Sequence, residues 1–374
     1  MNMHSTQAKT QKAVLVGVQL PRMTEFETES SLDELSRLVT TLGYDVVGRL
    51  SQRRSSTKGA AVLGDGKLRE LARWTEGSGV VASMVVRKKH KAALKFENNK
   101  EEDQSSEEFE DENQNADSED FDTDLNEAED DHSSEVTEAP KERADVVIFD
   151  CDLSPSQLRN LESATGASVL DRTGVIIEIF SRHARTRAAR LQVEIARLTY
   201  VAPRLRETGG GEDRGGGGVG GKGAGETSIE LDRRKIRDRI KELKTELAAI
   251  GQEHLTRRSR REQENCVVLV GYTNAGKSSL MRAMTGSEVL VADKLFATLD
   301  TTIRTLQPET RPKILVSDTV GFIKKLPHDL VASFKSTLDE ALNASLLLYV
   351  VDASDPSFRS QLEVTKTVLA EVGV

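Results

Sequence analysis

The sequence predicts an α/β protein in three parts. These are a small N-terminal α/β domain, an antiparallel helical arm, and the first part of a second α/β domain with a mostly parallel sheet. Three observations predict it. Short apolar runs alternate with helix-forming stretches from residue 12 to about 182, the pattern of a sheet covered by helices. Ile236, Ile240, Leu243, Leu247 and Ile250 then recur at spacings of 4, 3, 4 and 3, a coiled-coil seam on one helix face. Finally, Cys266-Val267-Val268-Leu269-Val270 runs into a glycine-bounded turn and a further helix-forming stretch. The parts are expected at 1–182, 183–263 and 264–374, and 374 residues suffice for them.

In the first part, residues 1–11 read as an unstructured tail and Ala13-Val14-Leu15-Val16-Gly17-Val18 as a strand. Ser31 is expected to cap a helix carrying Leu32, Leu35 and Leu38, with Glu34 at the capping-box position. Gly43 ends it and Asp45-Val46-Val47-Gly48 opens the next strand. Gly64-Asp65-Gly66-Lys67 reads as a tight turn ahead of a helix holding Leu68, Leu71 and Trp74; it lacks the spacing of a second nucleotide site. Val80 to Val86 is a further candidate strand. Order resumes at the strand Val146-Val147-Ile148-Phe149-Asp150, a helix started by Ser154-Pro155 and ended by Gly166, and the short strand Val169-Leu170-Asp171-Arg172.

Charge separates this domain from what is inserted in it. Residues 101–138 hold 19 Asp or Glu and no Lys or Arg, so the net charge of -9 hides a remainder of +10. Low hydrophobicity and dense like charge argue that about 94–142 is a disordered insertion, free to contact the basic body, mimic nucleic acid or simply solubilise. The basic body suits a nucleic-acid or ribosomal partner, and ordinary surface charge explains it equally well. Cys151 and Cys266 are the only cysteines and lie far apart, as buried thiols in a reducing compartment do. There is no run of 18 apolar residues and no signal-peptide core, so the expectation is a cytosolic protein without a membrane partner, acting as a monomer.

The arm begins with a basic helical stretch from Ala184 to Leu205, with Arg185, Arg187, Arg190 and Arg197. Residues 209–225 hold 11 glycines in 17, with Arg214 and Lys222. Such a loop is either a linker or, as its place between two long helices favours, a basic tip that orders on RNA. The seam helix follows, from about Leu231 to Gln263, and should pair with the first. It ends in Arg257-Arg258-Ser259-Arg260-Arg261, a patch that could meet phosphates or merely be solvated.

In the third part Gly271-Tyr272-Thr273-Asn274-Ala275-Gly276-Lys277-Ser278 has the spacing of a phosphate-binding loop, between a strand and a helix. Gly271 and Gly276 let backbone N–H groups turn toward a β-phosphate, Lys277 adds a positive charge for the β- and γ-phosphates, and the Ser278 hydroxyl is placed for Mg²⁺. A chance glycine turn is disfavoured by a second signature. The strand Lys313-Ile314-Leu315-Val316-Ser317 ends in Asp318-Thr319-Val320-Gly321, where Asp318 would support the Mg²⁺ shell and the Gly321 N–H would meet a γ-phosphate. Between them, Phe296-Ala297-Thr298-Leu299-Asp300 supplies a threonine able to close over the metal, which favours a switch GTPase over a generic ATPase.

These stretches resemble the HflX GTPases. Gly271 to Leu280, Asp293 to Asp300, Asp318 to Ile323, Leu326 to Val331 and Phe334 to Glu340 carry the likeness. So do Leu153 to Glu162, Gly225-Glu226-Thr227 and Asp232-Arg233-Arg234 upstream. The resemblance implies a P-loop GTPase domain that binds Mg²⁺ and GTP, with Ser278 and Thr298 as metal ligands. It also implies a partner, the large ribosomal subunit and its RNA, in rescue, splitting or recycling of ribosomes. It implies that the glycine-rich loop reaches toward the peptidyl-transferase region.

Three departures bear on this. The loop reads Arg214-Gly215-Gly216-Gly217-Gly218-Val219-Gly220, where the family usually has Arg-Gln-Gly-Gly-Gly-Ile-Gly. Phe322 follows Gly321, where many GTPases place a water-orienting glutamine, so hydrolysis is expected to be slow until a partner completes the site. His328, beside a helix start, reads equally as a structural residue. After the strand Leu346-Leu347-Leu348-Tyr349-Val350-Val351 and a helix from about Phe358 to Leu369, no Asn-Lys-x-Asp element occurs. The expectation is weak, non-selective nucleotide binding with an apolar edge strand, and as an alternative function a non-catalytic ribosome- or RNA-binding protein.

Overall fold

A computed structural model describes residues 10–81, 142–205, 228–259, 264–287, 294–299, 301–327, 330 and 340–373. The start of the N-terminal tail, the acidic insertion as far as 141, the glycine-rich loop, Asp293, Asp300, His328 and the Phe334 to Asp339 stretch lie outside the described residues. So do the side chains of the arginine patch at the end of the arm.

Four parallel strands make the first sheet: β1 (Lys12–Gln19), β2 (Asp45–Arg53), β3 (Val146–Phe149) and β4 (Ser168–Asp171), in the order β2-β1-β3-β4. Val14, Val147 and Phe149 are fully buried on one face and Leu15 and Ile148 on the other, because helices cover both sides. Helices α1 (Glu25–Thr41) and α4 (Arg172–His183) pack on one face. Helices α2 (Asp65–Thr75) and α3 (Pro155–Thr165) pack on the other. The order reverses between β1 and β3, making a switch point at their carboxyl ends, the place where open α/β sheets offer a crevice.

Three local expectations are corrected. Helix α1 starts earlier than expected: Thr24 is its cap and Glu27 closes the box, with Glu27 N donating to Thr24 Oγ1 and Thr24 N to Glu27 Oε2. Thr24 and Ser31 both begin a Thr/Ser-x-x-Glu pattern, and the earlier one prevails because Glu34 and Ser31 are buried in ionic contacts described below. Asp65, Gly66 and Lys67 form the first turn of α2 rather than a separate turn. Asp171 closes β4 and caps α4 through Gly174 N at 2.7 Å, so Arg172 is helical rather than the end of a strand. Val80 and Val81 have no strand assignment, and the rest of that candidate strand, to Val86, lies outside the described residues. Ser154, Pro155 and Gly166 bound α3 as the sequence predicts, with Gln157 completing its box.

The arm is the pair α5 (Arg187–Val201) and α6 (Ser228–Ser259). Leu243 of the seam is fully buried, and Ile240, Leu247 and Ile250 join it against Leu191, Ile195 and Leu198. Arg187 pairs with Glu246 and Arg239 with Glu194, so the two helices run antiparallel.

The second sheet has the order β6-β7-β5-β8, from β5 (Asn265–Gly271), β6 (Thr302–Thr305), β7 (Ile314–Asp318) and β8 (Leu346–Val350). It is parallel except for β6, an antiparallel edge strand that the sequence does not reveal. Strand β8 is the other edge, with Leu346 and Tyr349 exposed. Helix α7 (Lys277–Thr285) follows β5, and α8 (Phe358–Val372) follows β8.

Candidate nucleotide site

Strand β5 delivers the glycine turn to the carboxyl end of the second sheet. A Cβ on Gly271, whose φ is +156°, would sit 2.3 Å from the Val350 carbonyl oxygen, so only glycine lets β5 end against β8 here. Ala275 N closes the turn on Tyr272 O, Asn274 and Gly276 have positive φ, and α7 starts at Lys277 with no side chain capping it. An uncapped helix start leaves first-turn N–H groups for an anion.

Lys277 is buried, and its Nζ donates to Gly271 O at 3.1 Å and Tyr272 O at 2.7 Å. Burial pushes its pKa down to about 8, against the attraction of Asp318. Ser278 Oγ donates to Asp318 Oδ2 at 2.6 Å and lies 2.8 Å from Thr298 Oγ1. Asp318 is wholly buried and its Oδ1 has no hydrogen-bond partner. Burial raises the Asp318 pKa, with Ser278, Lys277 and Thr298 opposing. Two hydroxyls around a carboxylate with one unused oxygen form a hard, all-oxygen donor set, which fits Mg²⁺.

The residues after β7 lie against this loop. Thr319 Oγ1 donates to Leu269 O, Thr273 N to Phe322 O at 2.7 Å, and Phe322 N to Gly271 O at 3.1 Å. The approach is so close that a Cβ on Gly321 would stand 2.6 Å from Thr273 Cα and 2.9 Å from Lys277 Nζ. Thr273 Oγ1 accepts Phe296 N, which brings the Phe296-Ala297-Thr298-Leu299 loop to the same place. The side chains of Phe296, Leu299 and Val320 turn into a hydrophobic cluster, leaving only their backbone for a ligand. Asp300 lies outside the described residues. Phe322 is buried among Val268, Val270 and Leu369.

Residues 29–94 and 118–181 match the family described as GTP-binding GTPase N-terminal, and residues 183–261 the GTP-binding GTPase Middle Region. Residues 266–372 match the 50S ribosome-binding GTPase family. A GTPase HflX of Gluconacetobacter diazotrophicus is 60% identical over 361 residues, covering 96% of this chain and 73% of that protein. The chain belongs to the HflX GTPase family. A second HflX relative, from Caldanaerobacter subterraneus subsp. tengcongensis, is 36% identical over 97% of this chain and 69% of its own length. Among solved structures, a GTP-binding protein from Sulfolobus solfataricus in complex with GDP is 21% identical, with a TM-score of 0.43 over 98% of this chain and 79% of that one.

One feature of this HflX chain escapes sequence reasoning. The hydroxyl of Tyr272, inside the phosphate loop, donates to Glu34 of α1 in the other domain. The same hydroxyl accepts Lys324 N at 2.8 Å. Burial and the Glu34 carboxylate push the Tyr272 pKa up, keeping the phenol protonated as a donor. Behind Glu34, Arg172 is 1% exposed and pairs with Glu34 and with Asp150 Oδ1, and donates to Lys324 O at 3.2 Å. Lys325 Nζ reaches Asp150 Oδ2 at 2.8 Å, and Ser31 Oγ donates to the same oxygen. No spacing in the sequence joins these positions, and only the facing of the two domains assembles them.

Proposed function

We propose that the chain binds GTP with Mg²⁺ and hydrolyses it to GDP and phosphate, in association with the large ribosomal subunit and its RNA. The cytoplasm is the proposed setting, in rescue, splitting or recycling of ribosomes, with the protein acting as a monomer. The observation that carries the reading is the Ser278–Asp318–Thr298 cluster, with its one unused carboxylate oxygen, beside Lys277 and an uncapped helix start.

In this reading, Gly271 to Ser278 cradle the phosphates, with Lys277 exchanging its two backbone carbonyls for phosphate oxygens. Ser278 and Thr298 hold the metal, Asp318 orients them, and Gly321 offers its N–H to the γ-phosphate. The metal, when bound, neutralises charge on the β- and γ-oxygens. Phe322 brings no group able to orient water, so the partner completes the site. The match to the 50S ribosome-binding GTPase family and the basic arm helices support the large subunit as that partner. Among the described residues no helix is long and apolar enough to cross a membrane.

The test is a titration with fluorescent GTP in Mg²⁺, competed by GDP, GTP and ATP, followed by hydrolysis with and without large ribosomal subunits. Saturable binding competed by GTP and GDP, with hydrolysis accelerated by subunits, is the expected result; displacement by GTP but not by ATP would mean that residues outside the expected motif read the guanine. Absence of saturable binding, or a rate indifferent to subunits, overturns the corresponding half of the reading.

A further inference from the structure

Thr273 occupies the third position of the phosphate loop and is buried. Its backbone N–H is spent on Phe322 O at 2.7 Å, so it is not among the loop donors left for a phosphate. The side chain is committed too. Thr273 Oγ1 accepts the Phe296 N–H at 2.9 Å, in a bond buried from solvent. One residue thus joins the phosphate loop to the segment after β7 through its backbone, and to the 294–299 loop through its hydroxyl. Gly321 is packed against it, so closely that a Cβ there would stand 2.6 Å from Thr273 Cα and 2.9 Å from Thr273 N. Thr273 has little room to shift.

Phe296, at the other end of that bond, is in a conformation that needs holding. Its φ is +58°, in the left-handed region that a bulky residue adopts only where its surroundings impose it. Two contacts impose it here. One is the Thr273 hydroxyl on its N–H, and the other is burial of its ring, with Leu295 and Leu299, in the hydrophobic cluster. Two residues on, Thr298 Oγ1 lies 2.8 Å from Ser278 Oγ, which in turn donates to Asp318. Successive Cα atoms are only about 3.8 Å apart, so whatever fixes Phe296 limits where Thr298 can be.

We propose that Thr273 is a positioning residue for the metal-binding threonine. Its hydroxyl holds Phe296 in the left-handed conformation, and that conformation sets the Thr298 hydroxyl beside Ser278 and Asp318. Thr273 touches neither phosphate nor metal through its side chain and acts only through the Phe296 backbone. Without the hydroxyl, the Phe296 N–H is left buried with no acceptor. The loop then relieves both the orphaned donor and the left-handed φ by lifting away, and Thr298 goes with it. The inference rests on the GTP-binding reading above and deepens it, by naming what brings one of the two metal ligands into place. Serine carries the same hydroxyl on Cβ and can make the bond; valine has nearly the shape of threonine and cannot.

The test uses the full chain with Thr273→Val, and with Thr273→Ser as the conservative variant. The first readout needs no nucleotide. Hydrogen exchange at the Phe296 amide should rise in Thr273→Val and stay near the parent's in Thr273→Ser. The second is the Mg²⁺ concentration that half-maximally strengthens binding of a non-hydrolysable GTP analogue. It should rise about tenfold in Thr273→Val, the scale of a hydrogen bond whose loss strands a buried donor. Thr273→Ser should recover most of that change. Thr273→Val should also lose more affinity for the analogue with Mg²⁺ than for GDP in the presence of a chelator. A merely structural role would lower the urea midpoint and leave the Mg²⁺ requirement where it was.

An unchanged exchange rate in Thr273→Val overturns the hydroxyl as the tie. Raised exchange with an unaltered Mg²⁺ requirement overturns the positioning role and leaves GTP binding standing. Equal defects in Thr273→Val and Thr273→Ser would trace the effect to packing rather than the hydroxyl, and overturn the proposal as well. If the parent chain binds neither nucleotide, the GTP-binding reading fails and the metal role of Thr273 falls with it. That failure is told apart by the exchange result, which reports the tie without any ligand.

Discussion

Tyr272 and Glu34 stand 238 positions apart in the chain and share a hydrogen bond, hydroxyl to carboxylate, in the seam between the two sheets' domains. One partner belongs to the phosphate loop and the other to the third turn of α1, where Arg172 already claims its second oxygen. A carboxylate there has no solvent to satisfy it, so its two partners are required by burial. That requirement ties the nucleotide loop to a domain with no phosphate-binding signature of its own.

Lys277→Met should weaken GTP binding by about tenfold to hundredfold, the range for hydrogen bonds to a charged group. The change takes a buried ammonium out of the interior but also removes its hydrogen bonds to two loop carbonyls, so stability is measured beside affinity. Fluorescent GTP titration beside a circular-dichroism melt separates the two effects. Unchanged affinity would remove Lys277 from the phosphate site.

Gly321→Ala should harm GTP more than GDP. The added methyl would stand 2.6 Å from Thr273 Cα, a backbone atom with little freedom to retreat. The switch must then lift from the loop, at roughly 1–3 kcal/mol for overpacking of this kind. Competition titrations with GTP and GDP check it, and equal losses for both would count against Gly321 as the γ-phosphate contact.

Removing Mg²⁺ with a chelator should weaken GTP binding, and Asp318→Asn should make that effect much smaller. The unused Asp318 Oδ1 carries the argument, since no protein group satisfies it. Isothermal titration with and without chelator measures both. A variant as sensitive to Mg²⁺ as the parent would place the metal elsewhere.

Asp150 makes stability depend on pH. Burial resists its ionisation, but Arg172 and Lys325 outweigh burial and hold its pKa below the ordinary 3.8. A depressed carboxylate stabilises the fold above its unfolded pKa, and that contribution fades as pH falls through the folded value. Asp150→Asn should therefore cost roughly 3 kcal/mol at pH 7, as when a buried pair is broken, and progressively less below about pH 4. Urea unfolding at pH 7, 5 and 3.5 checks it; a cost constant across that range would mean that the ion pairs are not its source.

Asp171 holds the carboxyl end of α5. It is fully buried, caps α4 through Gly174 N, and accepts Tyr200 Oη at 2.8 Å and Arg204 Nη2 at 3.0 Å. Asp171→Ala should destabilise the chain by roughly 3 kcal/mol or more, because it strands a partly buried guanidinium and a cap together. A urea midpoint within error of the parent's would refute this.

Elements bounded by local chemistry were legible in the sequence. Helix α3 is enclosed by Ser154, Pro155 and Gly166, and the α6 seam follows from a spacing that only a helix brings to one face. The phosphate loop was legible for the same reason, since Gly271, Gly276 and Lys277 act over eight consecutive residues. Legibility failed where two local solutions competed: Thr24 and Ser31 both open a capping pattern, and the partners of Ser31 and Glu34 decided between them. Strand β6 was missed because its four residues alternate weakly and are held by pairing with β7.

By itself, then, the sequence determined the seam of the arm helix and the glycine turn between β5 and α7, because backbone geometry and side-chain period within one element suffice to specify them. Tertiary structure alone decided that the Tyr272 hydroxyl meets Glu34, that Phe322 is core, and that Glu34, Asp150, Arg172, Lys324 and Lys325 form one network. Those assignments depend on which charges lose their water together, and that is settled only when distant segments are buried against each other.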